Sequence, residues 1–144
     1  MIKAEDLRIG DLVRVNCDCE FPKGTVCTVS EIGTIKIVEE RKGCVSLIPL
    51  NGNDDSCQDV WCSDIEGIPL TPEILEKNGW DSDVVIPALY TLYTNETHQL
   101  EVECHSYSEW RYVTFNCAAI NRVKYVHELQ HILWALGKDA NIKI

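Results

Sequence analysis

The sequence predicts an α+β protein in two parts, a β-rich first part and an α+β second part. Three observations predict it. Short β-branched runs divided by turn residues fill residues 1–69. Pro69 and Pro72 then mark a stiff boundary. The one long apolar pattern with helical spacing lies near the C-terminus.

The first part reads as five short strands. Leu12-Val13-Arg14-Val15 follows a Gly10-Asp11 turn. Phe21-Pro22-Lys23-Gly24 breaks the chain before the β-branched run Thr25–Val29. Ile35-Lys36-Ile37-Val38 alternates, and Arg41-Lys42-Gly43 turns into the alternating Cys44–Ile48. A polar loop, Asn51–Ser56, leads to a last strand from Val60 to about Ile68. Five strands in so short a stretch suit a small closed barrel, because closure removes exposed strand edges. The layout resembles the Src-homology-3 (SH3-like) type of barrel, a fold that serves many functions.

The second part, residues 70–144, opens with a short helix. Thr71 caps it, Pro72 suits its first position, Glu73 favours its dipole and Asn78-Gly79 stops it. Leu89–Tyr93, Leu100–Cys104 and Tyr112–Phe115 read as antiparallel strands with turns at Asn95-Glu96 and Ser106–Ser108. A helix is expected from about Val123 to Leu136, stopping at Gly137, and the tail Asn141–Ile144 as a final strand. The fold expected is thus a five-stranded barrel, residues 1–69, packed on an α+β unit with a few antiparallel strands and one main helix, residues 70–144.

Composition narrows the function. The chain has 144 residues, 45% of them hydrophobic and 25% charged, which is globular composition. Net charge is −10, with −6 up to Leu70 and −4 beyond it. Neither part carries the basic footprint of phosphate recognition, so no nucleic-acid partner is expected. No apolar run approaches the roughly 20 residues of a membrane span, and Met1–Asp6 holds no apolar core of a signal peptide. A cytoplasmic location, with no membrane partner, is expected. In that setting the eight cysteines read as free thiols, mostly buried among β-branched neighbours. No Cys-x-x-Cys pair occurs, so the usual zinc-ribbon and thioredoxin spacings are absent.

One stretch points to chemistry. His127-Glu128-Leu129-Gln130-His131 matches the H-E-x-x-H pattern of zinc hydrolases. There two histidines one helical turn apart hold the metal and the glutamate activates its water. Here the alternative assignment is zinc as cofactor, His127 and His131 as metal ligands and Glu128 as the catalytic base. At about 100° per residue, Leu129, Ile132, Leu133 and Leu136 form one apolar stripe. The two histidines fall opposite it, beside Lys124 and Lys138, on an expected wet face where alanine substitution changes little. A catalytic zinc needs a third protein ligand. Past His131 only Asp139 qualifies, with His98, Cys104 and His105 the candidates upstream. The favoured assignment is therefore no catalytic residue, no metal and no cofactor.

No Gly-rich phosphate loop and no Gly-x-Ser-x-Gly elbow occurs. Cys104 and His105 are adjacent, so on a strand they point to opposite faces and do not pair as nucleophile and base. Trp61, Trp80, Trp110 and Trp134, with five tyrosines, suit core packing better than a binding groove.

Three phrases carry a resemblance: Leu7-Arg8-Ile9-Gly10-Asp11-Leu12-Val13, Ile68–Trp80 and Tyr125-Val126-His127-Glu128-Leu129-Gln130-His131. They resemble an uncharacterised protein family common in gut Bacteroidales, their phages and mobile elements. The resemblance spans nearly the whole chain. It implies a bacterial or phage cytoplasmic protein and no particular activity. The function expected is a non-catalytic interaction or accessory module with another protein as partner; the alternative is the zinc-dependent hydrolase.

Ile68-Pro69-Leu70-Thr71-Pro72 is too short and stiff to tether two independent bodies. A first part of this size has a marginal core, and Ile74 and Leu75 of the short helix need a surface to bury against. The two parts are expected to melt as one cooperative unit, with the short helix and Trp80 at the seam. Calorimetry checks this: two well-separated transitions would contradict it.

Overall fold

The computed structural model describes residues 2–17, 19, 21–33, 43–52, 56–97 and 99–144. They divide into two compact units, Met1–Ile68 and Pro69–Ile144. The architecture is α+β, with two five-stranded antiparallel sheets and few helices.

In the first unit a 3-10 turn, Ala4–Asp6, precedes β1 (Leu12–Val15), β2 (Val26–Gly33), β3 (Cys44–Pro49), β4 (Gln58–Trp61) and β5 (Ile65–Gly67). Their order in the sheet is β4-β3-β2-β1-β5. Alternation sets the inward face. Val13 and Val15, Cys27 and Val29, Val45 and Leu47 meet Val60, Ile65, Phe21 and Leu7 in one apolar cluster. Gly10 takes φ +95° at the turn before β1, and the buried Asp11 accepts the Arg8 backbone amide at 2.7 Å. Gly43 is needed twice over: its φ is +93°, and a Cβ there would stand 2.6 Å from that of Ala4. The expected last strand is really two. A 3-10 turn at Cys62–Asp64 separates β4 from β5. The expected strand Ile35–Val38 and turn at Arg41-Lys42 lie outside the described residues, as does part of the Asn51–Ser56 loop.

The second unit holds α1 (Pro72–Lys77), β6 (Asp81–Ile86), β7 (Tyr90–Asn95), β8 (Leu100–His105), β9 (Arg111–Phe115), β10 (Ala118–Val123) and α2 (Val126–Ala135). The sheet order is β10-β9-β8-β7-β6. Thr71 caps α1 by accepting the Ile74 amide at 3.4 Å, and Pro72 takes the first turn. Tyr93, Val102 and Val113 stand in one cross-strand row and are buried, as are Leu75, Trp80, Leu100, Leu129 and Leu133. Each large apolar side chain so buried contributes about 1.5–3 kcal/mol. The chain before α2 is tied to the start of the unit: Pro69 bridges Tyr125, and the Leu70 amide donates to the Lys124 carbonyl at 2.9 Å.

Three sequence expectations need correction here. Strands β6 and β10 were not foreseen, because Asp-Ser-Asp-Val-Val-Ile and Ala-Ala-Ile-Asn-Arg-Val lack clean alternation. The helix starts at Val126, since Val123 still pairs with Arg111 as the end of β10. The tail forms no strand; a side chain takes the place of a partner strand. The Asn78 amide donates to the Lys143 carbonyl at 2.9 Å and accepts the Lys143 amide at 2.8 Å.

The β9–β10 hairpin turns on two residues, Asn116 (φ 50°) and Cys117 (φ 62°). Both values fit a type I′ turn, whose preferred second residue is glycine. Left-handed backbone costs a side-chain-bearing residue about 1–2 kcal/mol. The extra unfolded freedom of glycine offsets about 0.5–1 kcal/mol of that. Cys117→Gly is therefore expected to stabilise the unit by about 0.5–1 kcal/mol, read as a higher urea midpoint. A lower midpoint would show that the exposed thiol holds the turn.

Candidate functional site

Glu128 is the third residue of α2, and its carboxylate turns back to the helix start. It accepts the backbone amides of Tyr125, at 2.9 Å, and of Lys124. This satisfies donors that a helix N-terminus leaves open. His131 is half-buried. His127 is not on a wet face: it is 3% exposed. The reason is its position. In the first turn of α2 it stacks on the Tyr125 ring, centroids 5.7 Å apart and planes 9° from parallel. Gln130, also buried, donates to the Ala140 carbonyl at 3.2 Å, so chain beyond the helix folds back on this flank. The buried arc of α2 is wider than its apolar stripe.

His127 and His131 do lie together, ring centroids 5.9 Å apart and edge to face. The third-ligand candidates do not join them as a set. Cys104 points to the buried side of the sheet, Asp139 is exposed with its carboxylate on the Asn141 amide, and His98 lies outside the described residues. Among the described residues no group of three or more His, Cys, Asp or Glu is placed to hold a metal ion. All eight cysteines are free thiols. Burial pushes the Cys27 and Cys104 thiols up to about 11, the latter against the pull of Arg111, and raises that of Cys62. At neutral pH those three thiols are protonated and poor nucleophiles.

A second constellation sits on the other face of the second sheet. Adjacent residues of β8 point to opposite faces, so Glu101, Glu103 and His105 face away from Leu100, Val102 and Cys104. Tyr90 stands opposite His105 in the register, their rings stacked at 4.8 Å and 9°. Tyr112 meets His105 edge-on at 5.8 Å. The Tyr107 hydroxyl lies 3.2 Å from Nδ1 of His105, and Glu103 Oε2 lies 3.5 Å from its Nε2. Burial raises the Tyr90 hydroxyl above its usual range, and Glu103 adds to it. Further along the face the Arg122 guanidinium lies 4.7 Å from the Trp110 ring centroid.

On one side this face ends at β6, an edge strand exposed along its whole length. Val84 is 59% exposed, and Val85, Ile86 and Leu89 are exposed with it. The tryptophans divide: Trp80 is buried, while Trp110 and Trp134 are exposed, Trp134 to 64%. Core packing therefore does not account for those two. The sequence signal for the aromatic face was the alternation Glu101-Val102-Glu103-Cys104-His105. It marks which residues share a face, but the rings that join His105 come from other strands. A cleft of about 290 Å³, lined in part by Ala88, Tyr90, His105 and Arg111, opens beside the cluster. That is the low end for a small-molecule site.

These roles give distinct stability effects. Glu128→Ala is expected to cost about 1 kcal/mol through the lost cap. His127→Ala should cost about 2 kcal/mol, as truncation of a buried ring, and the half-buried His131→Ala about 0.5 kcal/mol. Urea unfolding of the three variants checks this; equal, small losses for the two histidines would contradict the packing around the first turn.

Set beside family models, curated proteins and solved structures, the chain matches none.

Proposed function

We propose that this protein is a non-catalytic interaction or accessory module of a bacterial or phage system, acting in the cytoplasm, with another protein as its partner. The observation that carries the reading is β6: an outermost strand, exposed throughout, with three consecutive apolar residues at its end. Such an edge offers a row of main-chain donors and acceptors to an incoming strand. The capping role of Glu128 supports the same reading. A hydrolase needs that carboxylate on a water, whereas here it receives two backbone amides. Among the described residues no helix is long and apolar enough to cross a membrane.

The first unit fits the reading as an SH3-like barrel. Its edge strands, β4 and β5, are joined only by Cys62–Asp64. Five flat strands would put the two edges about 19 Å apart. The four Cα–Cα steps from Trp61 to Ile65 span at most about 15 Å. The sheet must therefore curl to bring its edges toward one another, which favours barrel-like closure.

A photo-crosslinking residue at Val85, in cells of the source organism, is expected to give one discrete protein adduct, and the same residue at the exposed Ile9 none. Absence of an adduct at Val85 would defeat the reading. So would stoichiometric zinc in tag-free protein that is lost on His131→Ala.

A further inference from the structure

The open edge of β6 has a chemical character that selects its occupant. Among the described residues strand β6 has one neighbour, β7, so its other side is unpaired within the sheet. Asp81 and Asp83 stand opposite Thr94 and Leu92, and these in turn stand opposite Glu101 and Glu103. Residues directly opposite in an antiparallel sheet share a face. Two cross-strand rows thus bring Asp81, Asp83, Glu101 and Glu103 to the outer face, at the edge and two strands behind it. Strands β6, β7 and β8 contain no lysine or arginine. The nearest cation in these rows is Arg122 on β10, at the far side of the sheet and already over Trp110.

The same carboxylates disfavour a second copy of the chain as the added strand. Antiparallel pairing of two β6 strands that overlaps their first halves and keeps both outer faces on one side sets these aspartates opposite or diagonal to each other. Like charges directly opposite are destabilising. A strand with lysine or arginine at alternate positions places them opposite Asp81 and Asp83, one strand spacing away, with Glu101 and Glu103 adding a longer-range field from behind. Its intervening residues fall on the face of Val84, which favours apolar ones. The irregular register between Val84 and Ile86 limits the length of regular pairing.

We propose that β6 binds an extended basic segment of another protein as a sixth strand, with Lys or Arg at alternate positions on the outer face. This rests on the interaction-module reading above and adds the chemistry of the partner. Each opposite-charge pair across strands is worth only a few-fold in affinity, so two pairs predict a preference of about tenfold for a basic over an acidic peptide. The preference should shrink as salt rises from about 0.05 to 0.5 M.

The test uses the full chain, isotope-labelled, titrated with acetyl-Val-Lys-Val-Lys-Val-Lys-amide and with its Glu-for-Lys counterpart. The basic peptide is expected to shift the backbone amides of Asp81–Ile86 and to bind about tenfold more tightly. The double variant Asp81→Lys, Asp83→Lys should reverse the preference. Both positions are exposed, and the wild-type comparison decides the matter even if that variant does not fold. Equal binding of the two peptides at β6 would overturn the charge selection while leaving the module reading intact, which fails separately if Val85 gives no adduct in cells. Shifts confined to other strands, or no binding of the basic peptide at about 1 mM (the weak limit of specific recognition), would also overturn it. So would a solution dimer that Val85→Arg makes monomeric.

Discussion

The second unit depends on one constraint, the two-residue period of its central strand β8. Leu100, Val102 and Cys104 go to the buried side; Glu101, Glu103 and His105 go to the other. A slip of one residue would bury two glutamates and a histidine and expose Leu100, Val102 and Cys104. The register that builds the core is therefore the register that gathers His105 with Tyr90 and Tyr112 and sets Glu101 and Glu103 behind the β6 edge. The apolar residues stabilise the arrangement, and the polar face is its geometric consequence.

Helix α2 shows why the sequence pattern H-E-x-x-H is weak evidence of metal chemistry. The pattern records three residue types on a helix, and each has a structural use here. Glu128 is at the third helical position, where a carboxylate reaches back to the open amides of the first turn. His127, one residue into the helix, has an aromatic neighbour at Tyr125 to stack on. A helix that began one turn earlier, as the periodicity suggested, would put Glu128 mid-helix with no cap to make. The misplaced start and the misjudged exposure of His127 are thus one error. Val123 belongs to β10, and the first turn of α2 lies against structure that an isolated helical wheel does not contain.

Much of the fold was legible where side chains alternate cleanly or caps are explicit. Leu12–Val15, Cys44–Ile48 and Leu100–Cys104 each have an apolar face matched to a strand, and Thr71-Pro72 with Asn78-Gly79 brackets α1. Strand β6 was illegible for the same physical reason that makes it interesting. Its residues are exposed on both faces, so burial imposes no alternation on them. The aromatic cluster was illegible because it is assembled from Tyr90, His105, Tyr107 and Tyr112 through register, which no single segment encodes. The tail was misread as a strand because Ile142 and Ile144 alternate with lysine; Asn78 satisfies Lys143 instead.

Acidic residues on an edge strand have a bland explanation, protection from uncontrolled pairing. Protection is commonly served by charged side chains, lysine above all, by proline, by bulges or by a short strand. Here the edge strand runs six residues with neither lysine nor proline and has an irregular register between Val84 and Ile86, and its charges are aspartates confined to its first half, ahead of Val84-Val85-Ile86. Repulsion at one end disfavours pairing of the aspartate halves of two copies, and the apolar exposure at the other end is what the proposed complementary strand would cover. Glu101 and Glu103 sharpen the distinction, because two strands in from the edge they contribute nothing to blocking it. Held on the outer face by the β8 register, they add to the negative field at that face. Asp81 and Asp83 thus oppose self-pairing at the edge, and with Glu101 and Glu103 behind them they form the acidic face that the proposed basic segment would meet.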